Sequence, residues 1–166
     1  GQVTLAAKPD DKIQAFVGGI DPATVGGIFD FKMAEGSISD LTNRTILVDQ
    51  AVAEDQDVSI GDDLTILSAS GRTLEVTVAA ISDDPAILGQ WTITRSDAAE
   101  LTAEPTDYLL GIKLDEGTTV DAVRTELRAA VEPYPNMKLQ DREQYTSSII
   151  DSISALLNVI YALLAV

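Results

Sequence analysis

The C-terminal stretch of the chain, residues 141–166, changes from polar to apolar along its length. Asp141 is followed three residues later by Gln144, the spacing of a helix capping box, so a helix is predicted to begin here. Beyond Ala155, every face of that helix is apolar except at Asn158. A helix that is apolar all round belongs in a buried or a lipid environment. Any fold for this chain must therefore provide such an environment for its end.

Two structures are compatible with this apolar end. One is a C-terminal helix that packs on the core or forms a coiled-coil dimer; the other is the start of a transmembrane helix that continues past Val166. About 20 apolar residues span a bilayer, whereas runs of about 10–14 are more often core helices. The apolar surface is wider than a two-helix seam needs, which favours the membrane. The residues predicted to form this membrane or helix interface are Ile149, Ile153, Leu156, Leu157, Ile160, Tyr161, Leu163 and Leu164.

The charge balance restricts the partners of the chain. The formal net charge of −16 comes from 27 acidic and 11 basic residues. Binding to phosphates needs clustered Lys and Arg. We therefore expect no nucleic-acid partner and no surface that binds anionic lipid headgroups. Since 45% of the residues are hydrophobic, the chain has enough apolar side chains for a folded core. The acidic surface is predicted to serve solubility.

The chain contains neither Cys nor His. This excludes thiol nucleophiles and thiolate metal sites, and it removes the usual general base and the commonest zinc ligand. The acidic run from Asp55 to Asp63 invites a calcium loop, but EF-hand positions six and twelve hold Ile60 and Ile66 instead of Gly and Glu. No Gly-rich phosphate loop is present. The sequence therefore indicates no catalytic residue, no cofactor and no metal site, and we expect a protein that is not an enzyme.

Residues 1–106 have the pattern of short strands joined by turns. Asp21-Pro22 is typical of a helix N-cap followed by proline at the first helical position. Between residues 44 and 106, such a series of short strands indicates a small barrel or sandwich-like subdomain. Strands are predicted at 3–7, 12–17, 29–33, 45–48, 64–67, 74–81 and 91–94, and short helices at Asp21, Asp49 and Ser96.

From residue 107 the pattern becomes strand, helix, strand. Tyr108 to Leu114 alternates as a strand, Thr118 with Asp121 caps a helix that ends before Pro133, and Met137 to Gln140 returns as a strand. This is a βαβ-type unit. The predicted fold class is α+β, with a β-rich subdomain inserted in a split βαβ-type α/β unit and a long C-terminal helix leading toward the membrane. The predicted domains are 1–43, the N-terminal strands of the α/β part; 44–106, the β-rich subdomain; 107–140, the βαβ unit; and 141–166, the C-terminal helix.

Six segments follow one another in a characteristic order. They are Val-Gly-Gly-Ile-Asp-Pro-Ala-Thr-Val (17–25), Ala-Glu-Gly-Ser-Ile-Ser-Asp-Leu (34–41), Thr-Ile-Leu-Val-Asp-Gln-Ala-Val-Ala (45–53), Ile-Gly-Asp-Asp-Leu-Thr-Ile (60–66), Thr-Val-Asp-Ala-Val-Arg-Thr-Glu-Leu (119–127) and Leu-Leu-Asn-Val-Ile-Tyr-Ala-Leu-Leu-Ala (156–165). Together they resemble the extracytoplasmic domain of FtsX/MacB-like ABC transporter permeases, especially the actinobacterial type. The resemblance covers nearly the whole chain.

The resemblance implies a non-catalytic domain at the cell membrane, on its extracytoplasmic face. In that family the last of the six segments enters a transmembrane helix. ATP hydrolysis would occur on a cytoplasmic ABC-type ATPase subunit, and the domain would couple it to substrate handling or signalling outside the membrane. Further implied partners are the other permease half or a second copy, and the membrane through the C-terminal helix. The alternative is a soluble interaction domain that dimerises through this helix.

Overall fold

The computed structural model describes residues 2–6, 12–102, 107, 109–141, 144, 145, 147 and 154. The chain divides into two compact units, residues 1–113 and residues 114–166. We call them the barrel unit and the helical unit. The finer division predicted from the sequence, with boundaries after residues 43, 106 and 140, stays a prediction.

The barrel unit consists of short strands and shorter helices. Its strands are β1 (Gln2–Ala6), β2 (Lys12–Ile20), β3 (Met33–Glu35), β4 (Thr45–Asp49), β5 (Asp63–Ser68), β6 (Thr73–Ser82) and β7 (Trp91–Thr94). Its helices are α1 (Pro22–Val25), α2 (Gln50–Asp55), α3 (Pro85–Leu88) and α4 (Arg95–Leu101), with a 3-10 turn at Ile38–Asp40.

Six of the strands close into a small barrel. Their order is β6-β4-β7-β2-β1-β5, and β5 pairs back with β6. Most neighbours are antiparallel, but β2 with β7 and β4 with β6 are parallel. β3 adds to β6 outside this ring. The predicted α+β fold with a β-rich part is therefore confirmed, and this β-rich part is a barrel that also includes β1 and β2.

Alternate residues of the strands fill the barrel. On β6, Leu74, Val76 and Val78 are 2%, 2% and 1% exposed, as their spacing predicts. Val3 and Leu5 of β1 lie in the same buried cluster. Burying a side chain of this size is worth about 1.5–3 kcal/mol relative to leaving it in water, so this alternation stabilises the unit.

The predicted helix starts in the barrel unit are confirmed, with differences of detail. Asp21 caps α1, where its Oδ1 accepts a hydrogen bond of 3.1 Å from a first-turn N–H. Asp49 occupies the N-cap position of α2 but makes no capping hydrogen bond with its side chain. α4 begins one residue before the predicted Ser96, because the Thr94 hydroxyl accepts from the N–H of Asp97 at 3.1 Å and acts as the cap.

The prediction of a strand at residues 29–33 is wrong except at Met33. Strand pairing begins only at Met33, and residues 29–32 precede it without strand structure. The rings of Phe29 and Phe31 pack against each other instead, with centroids 5.8 Å apart. The two aromatic side chains therefore contact each other and do not belong to one face of a sheet.

The strands predicted on either side of the following helix are not formed. Residues 109–114 and 137–140 have no strand structure, and Tyr108 lies outside the described residues. A Cβ at Gly111 would lie 3.2 Å from the Phe29 ring, so this part of the chain packs against side chains. Apolar alternation predicts a strand only where a neighbouring strand supplies hydrogen bonds.

The helical unit contains α5 (Val120–Val131), close to its predicted position. Its cap is Thr119, whose hydroxyl accepts from the N–H of Ala122 at 3.4 Å, and not the predicted Thr118. None of its residues is fully buried. Its apolar side chains are half-buried at Val123, Leu127 and Val131 and exposed at Val120 and Ala130.

The capping box predicted at the start of the terminal helix is confirmed. The N–H of Gln144 donates to Asp141 Oδ1 at 2.9 Å, and the N–H of Asp141 donates back to Gln144 Oε1 at 3.2 Å. Tyr145, Ser147 and Ser154 are helical as well as Gln144. We use the name terminal helix for the helix that begins after Asp141.

The predicted membrane or helix interface lies outside the described residues. This holds for Ile149, Ile153, Leu156, Leu157, Ile160, Tyr161, Leu163 and Leu164. In the part of the chain that the structure does describe, none of the helices has both the length and the apolar character needed to cross a membrane.

Gly19 allows α4 to pack closely on β2, and this contact can be tested. A Cβ at position 19 would lie 2.6 Å from the Ala98 Cβ, whereas a Cβ at Gly18 would meet nothing nearer than 3.8 Å. We expect Gly19→Ala to lower the free energy of unfolding by about 1–3 kcal/mol, because α4 must shift. Urea denaturation measures the change. Gly18→Ala is the matched control and should leave stability nearly unchanged; equal effects of the two substitutions would contradict the packing argument.

Candidate functional site

An open cleft lies in the barrel unit at the carboxyl ends of β2 and β7. These strands are parallel neighbours with Ile20 opposite Thr94, so α1 and α4 begin side by side after them. The cleft has a volume of about 900 Å³. Its lining mixes apolar and polar side chains: Ile20, Asp21, Pro22, Leu41, Thr42, Asn43, Thr94, Arg95, Ser96 and Ala99.

Asn43 joins one wall of the cleft to the start of α4. Its Oδ1 accepts a hydrogen bond of 2.9 Å from the Ser96 hydroxyl and lies 3.4 Å from the Thr94 hydroxyl. The Thr94 and Ser96 hydroxyls are themselves 2.9 Å apart. This polar cluster fixes the loop before β4 against the end of β7.

Asp97 holds the same loop from inside the protein. It is 1% exposed, and its Oδ2 accepts a hydrogen bond of 2.8 Å from the backbone N–H of Arg44. Arg44 has a φ of 64°, a left-handed conformation that is uncommon for a residue with a side chain. Its carbonyl accepts from the N–H of Thr77 at 3.0 Å, and its guanidinium pairs with Glu100 at 2.6 Å. The strained turn is therefore held by contacts on both sides of its backbone.

Two charged side chains lie at the mouth of the cleft. Arg95 pairs with Asp107 at 3.0 Å, an ion pair whose side chains are about half exposed. Asp21 accepts a hydrogen bond of 2.7 Å from the Thr24 hydroxyl, which is the main reason that its pKa is lowered. The charge of Arg95 lowers the pKa of Asp21 further, as the smallest of the causes.

Several polar groups of the cleft are hydrogen-bonded to one another. The Thr94 and Ser96 hydroxyls face an amide oxygen, which is not a base that would activate them as nucleophiles. Within the described ranges, no group of three or more acidic residues is placed to hold a metal ion. A cleft of mixed apolar and polar lining suits recognition of a surface that carries both kinds of group.

Only part of this cleft is evident from the sequence. Asp21 and Ser96 are predicted at helix starts, but no pattern assigns Asn43, Arg44 or Asp97 to a site. The available signal was Thr94 followed three residues later by Asp97, the spacing of a capped helix start. That spacing says nothing of the contact between Asp97 and Arg44, which are 53 residues apart.

Comparison with known proteins adds a fold similarity. No protein-family model matches the chain, and no curated protein matches it. Among solved structures, the barrel-containing fold is similar to a domain of a protein assigned as a permease from Porphyromonas gingivalis, with a TM-score of 0.51 and 16% sequence identity. The two proteins share a fold. The similarity covers 83% of this chain and 62% of that chain, so this chain spans less than two thirds of that domain's length.

The Asp97 contact should be measurable as stability. Asp97→Ala removes the acceptor for the Arg44 N–H, and leaving such a group unsatisfied costs about 1–3 kcal/mol, so we expect the free energy of unfolding to fall by that amount. Chemical denaturation gives the value, and the NMR signal of the Arg44 amide should shift. The control is Glu100→Gln, which weakens an exposed pair worth about 0–1 kcal/mol. A loss no larger than that of the control would show that Asp97 does not hold the turn.

The effect of Thr24 on Asp21 gives a pH-dependent test. Because the folded-state pKa of Asp21 is lowered, its stabilising contribution is present above the unfolded-state pKa and is lost as the pH falls through the folded-state pKa. Thr24→Val removes the donated hydrogen bond, so the pKa of Asp21 should rise toward its usual range. An NMR titration of the Asp21 carboxyl carbon measures this. Thr42→Val, at another hydroxyl of the cleft lining, is the control, and an unchanged Asp21 pKa in Thr24→Val would refute the assignment.

Proposed function

We propose that this chain is the extracytoplasmic domain of an FtsX/MacB-like ABC transporter permease. In this role it couples ATP hydrolysis on a cytoplasmic ABC-type ATPase subunit to substrate handling or signalling outside the membrane. The observation that carries the proposal is the fold shared with a domain of a protein assigned as a permease. The order of the six sequence segments supports it independently, since the fold similarity involves only 16% identity.

The terminal helix supplies the physical link to the membrane in this proposal. Its polar beginning at Asp141 lies in the helical unit, and its sequence carries no charge after Asp151. A helix with this gradient places its apolar end in lipid and its polar beginning in water. The acidic domain itself would not be drawn to anionic headgroups, so this helix would hold it at the surface.

The proposed role is mechanical and requires no catalytic group in the chain. ATP would be hydrolysed on the other side of the membrane, and the domain would receive the resulting movement through its helix. The cleft at the ends of β2 and β7 gives the barrel unit a surface of mixed polarity for a substrate or a signalling partner. The other permease half, or a second copy, is the proposed neighbour.

Localisation of the full-length gene product tests this proposal. We expect the protein to remain in the membrane fraction after a carbonate wash, and residues 1–140 to be cleaved by protease added from outside to intact cells. Cleavage only after the cytoplasm is opened would overturn the extracytoplasmic assignment. A product that stays in the soluble fraction as a dimer would support the alternative, a soluble interaction domain joined by its terminal helix.

Charge substitutions identify the segment that holds the protein in the membrane. Leu164→Lys places a cation in the apolar C-terminal segment that is predicted to enter the membrane, and a Lys costs about 2.5–3.5 kcal/mol at the centre of a membrane helix. We expect membrane retention to fall in the same fractionation. Ser147→Lys, at an exposed position near the polar start of that helix, is the control and should be retained as the unmodified protein is. Equal retention of both variants would place the anchor elsewhere.

A further inference from the structure

Among the described residues, the carboxylate of Asp141 contacts Gln144 through one oxygen and Arg124 through the other. Oδ1 accepts the N–H of Gln144 at 2.9 Å and so caps the terminal helix. Oδ2 lies 3.0 Å from Nη2 of Arg124, in the middle of α5. The two side chains of this ion pair are only 28% and 25% exposed, so water surrounds it incompletely. One side chain thus belongs both to the start of the terminal helix and to a contact with α5.

Arg124 has a second acidic neighbour, but that contact is weaker. Its Nε lies 3.5 Å from Asp121 Oδ1, and the Asp121 side chain is 92% exposed. The hydrogen bond to Asp141 is the largest cause of the raised pKa of Arg124, ahead of both contributions from Asp121. The guanidinium is therefore directed mainly toward the terminal helix, and it stays charged at every physiological pH.

The connection between α5 and Asp141 has little regular structure of its own. α5 ends at Val131, and the backbone continues through turns in which Tyr134 N–H donates to Val131 and Met137 N–H donates to Tyr134. Residues 137–140 have neither helix nor strand structure. A connection of this kind constrains the distance between two helices more than their relative orientation, so the ion pair adds a constraint that the backbone lacks.

We propose that the Arg124–Asp141 pair is a joint that makes α5 follow the beginning of the terminal helix. Its biological use rests on the proposed function: a displacement of the terminal helix at the membrane would pass to α5 through this pair. The cap itself needs only an acceptor at position 141. The ion pair needs a carboxylate at position 141 and the guanidinium of Arg124. Substitutions at position 141 can therefore remove the ion pair while they keep the cap.

Spin labels can measure this coupling, because the chain has no native Cys. Glu126→Cys on α5 and Ser147→Cys on the terminal helix are both at exposed positions. In the otherwise unmodified chain, pulsed EPR should give one narrow distance distribution between the labels. Arg124→Gln should broaden it, and Asp141→Ser should broaden it to a similar extent, since Ser still caps the helix but cannot form the ion pair.

Three comparisons make the test decisive. Asp121→Asn removes only the exposed contact and should leave the distribution narrow. The double variant Arg124→Gln/Asp141→Ser should be no broader than either single variant, because both remove one interaction. If Asp141→Ser weakens folding, Asp141→Asn retains the cap and the volume while removing the charge. Unchanged distributions in Arg124→Gln and in either Asp141 variant would overturn the proposal.

This experiment is independent of the membrane assignment. It uses the 166-residue chain in solution, so a soluble localisation of the full-length protein would not alter its result. Conversely, a distance distribution that is broad in the otherwise unmodified chain as well as in every variant would overturn the proposed joint. Such a result would leave the permease assignment intact.

Discussion

Strand β6 is the element through which the barrel closes. Its first half, Thr73 to Thr77, pairs with β5, and its second half, Thr77 to Ser82, pairs with β4 on the opposite edge. β3 then adds at its end. One continuous strand therefore pairs with three neighbours, β5, β4 and β3. The pairings with β5 and β4 close the ring. A register shift between Ile46 and Leu47 accommodates the parallel pairing of β4 with β6.

Closure of the ring determines where the cleft forms. β7 lies between β4 and β2, parallel to β2 and antiparallel to β4. The end of β7 therefore meets both the end of β2 and the loop that precedes β4. Thr94 and Asp97, at the start of α4, reach that loop and hold Arg44 in its left-handed turn. The polar lining of the cleft is thus a consequence of strand order.

Local patterns in the sequence predicted the features that depend on local chemistry. The alternation of Leu74, Val76 and Val78, the Asp21-Pro22 helix start and the reciprocal cap at Asp141 need only neighbours within a few residues, and all are present. Features that depend on a distant partner were not predictable. The alternation at 109–114 resembles that of β6, but these residues form no strand, and the Asp97–Arg44 contact joins distant parts of the sequence. For the cleft, only the helix starts at Asp21 and Ser96 were evident.

The position of β7 in the ring has a consequence for folding. β2 and β4 are both formed from earlier parts of the chain, yet each pairs with residues 91–94. Until these four residues dock, both strands carry unpaired backbone groups, and such open edges readily pair with another chain. Contacts over this sequence separation also form slowly, because the intervening loop must be ordered first. The shortest strand among the six of the ring thus covers two sheet edges at once, one on β2 and one on β4.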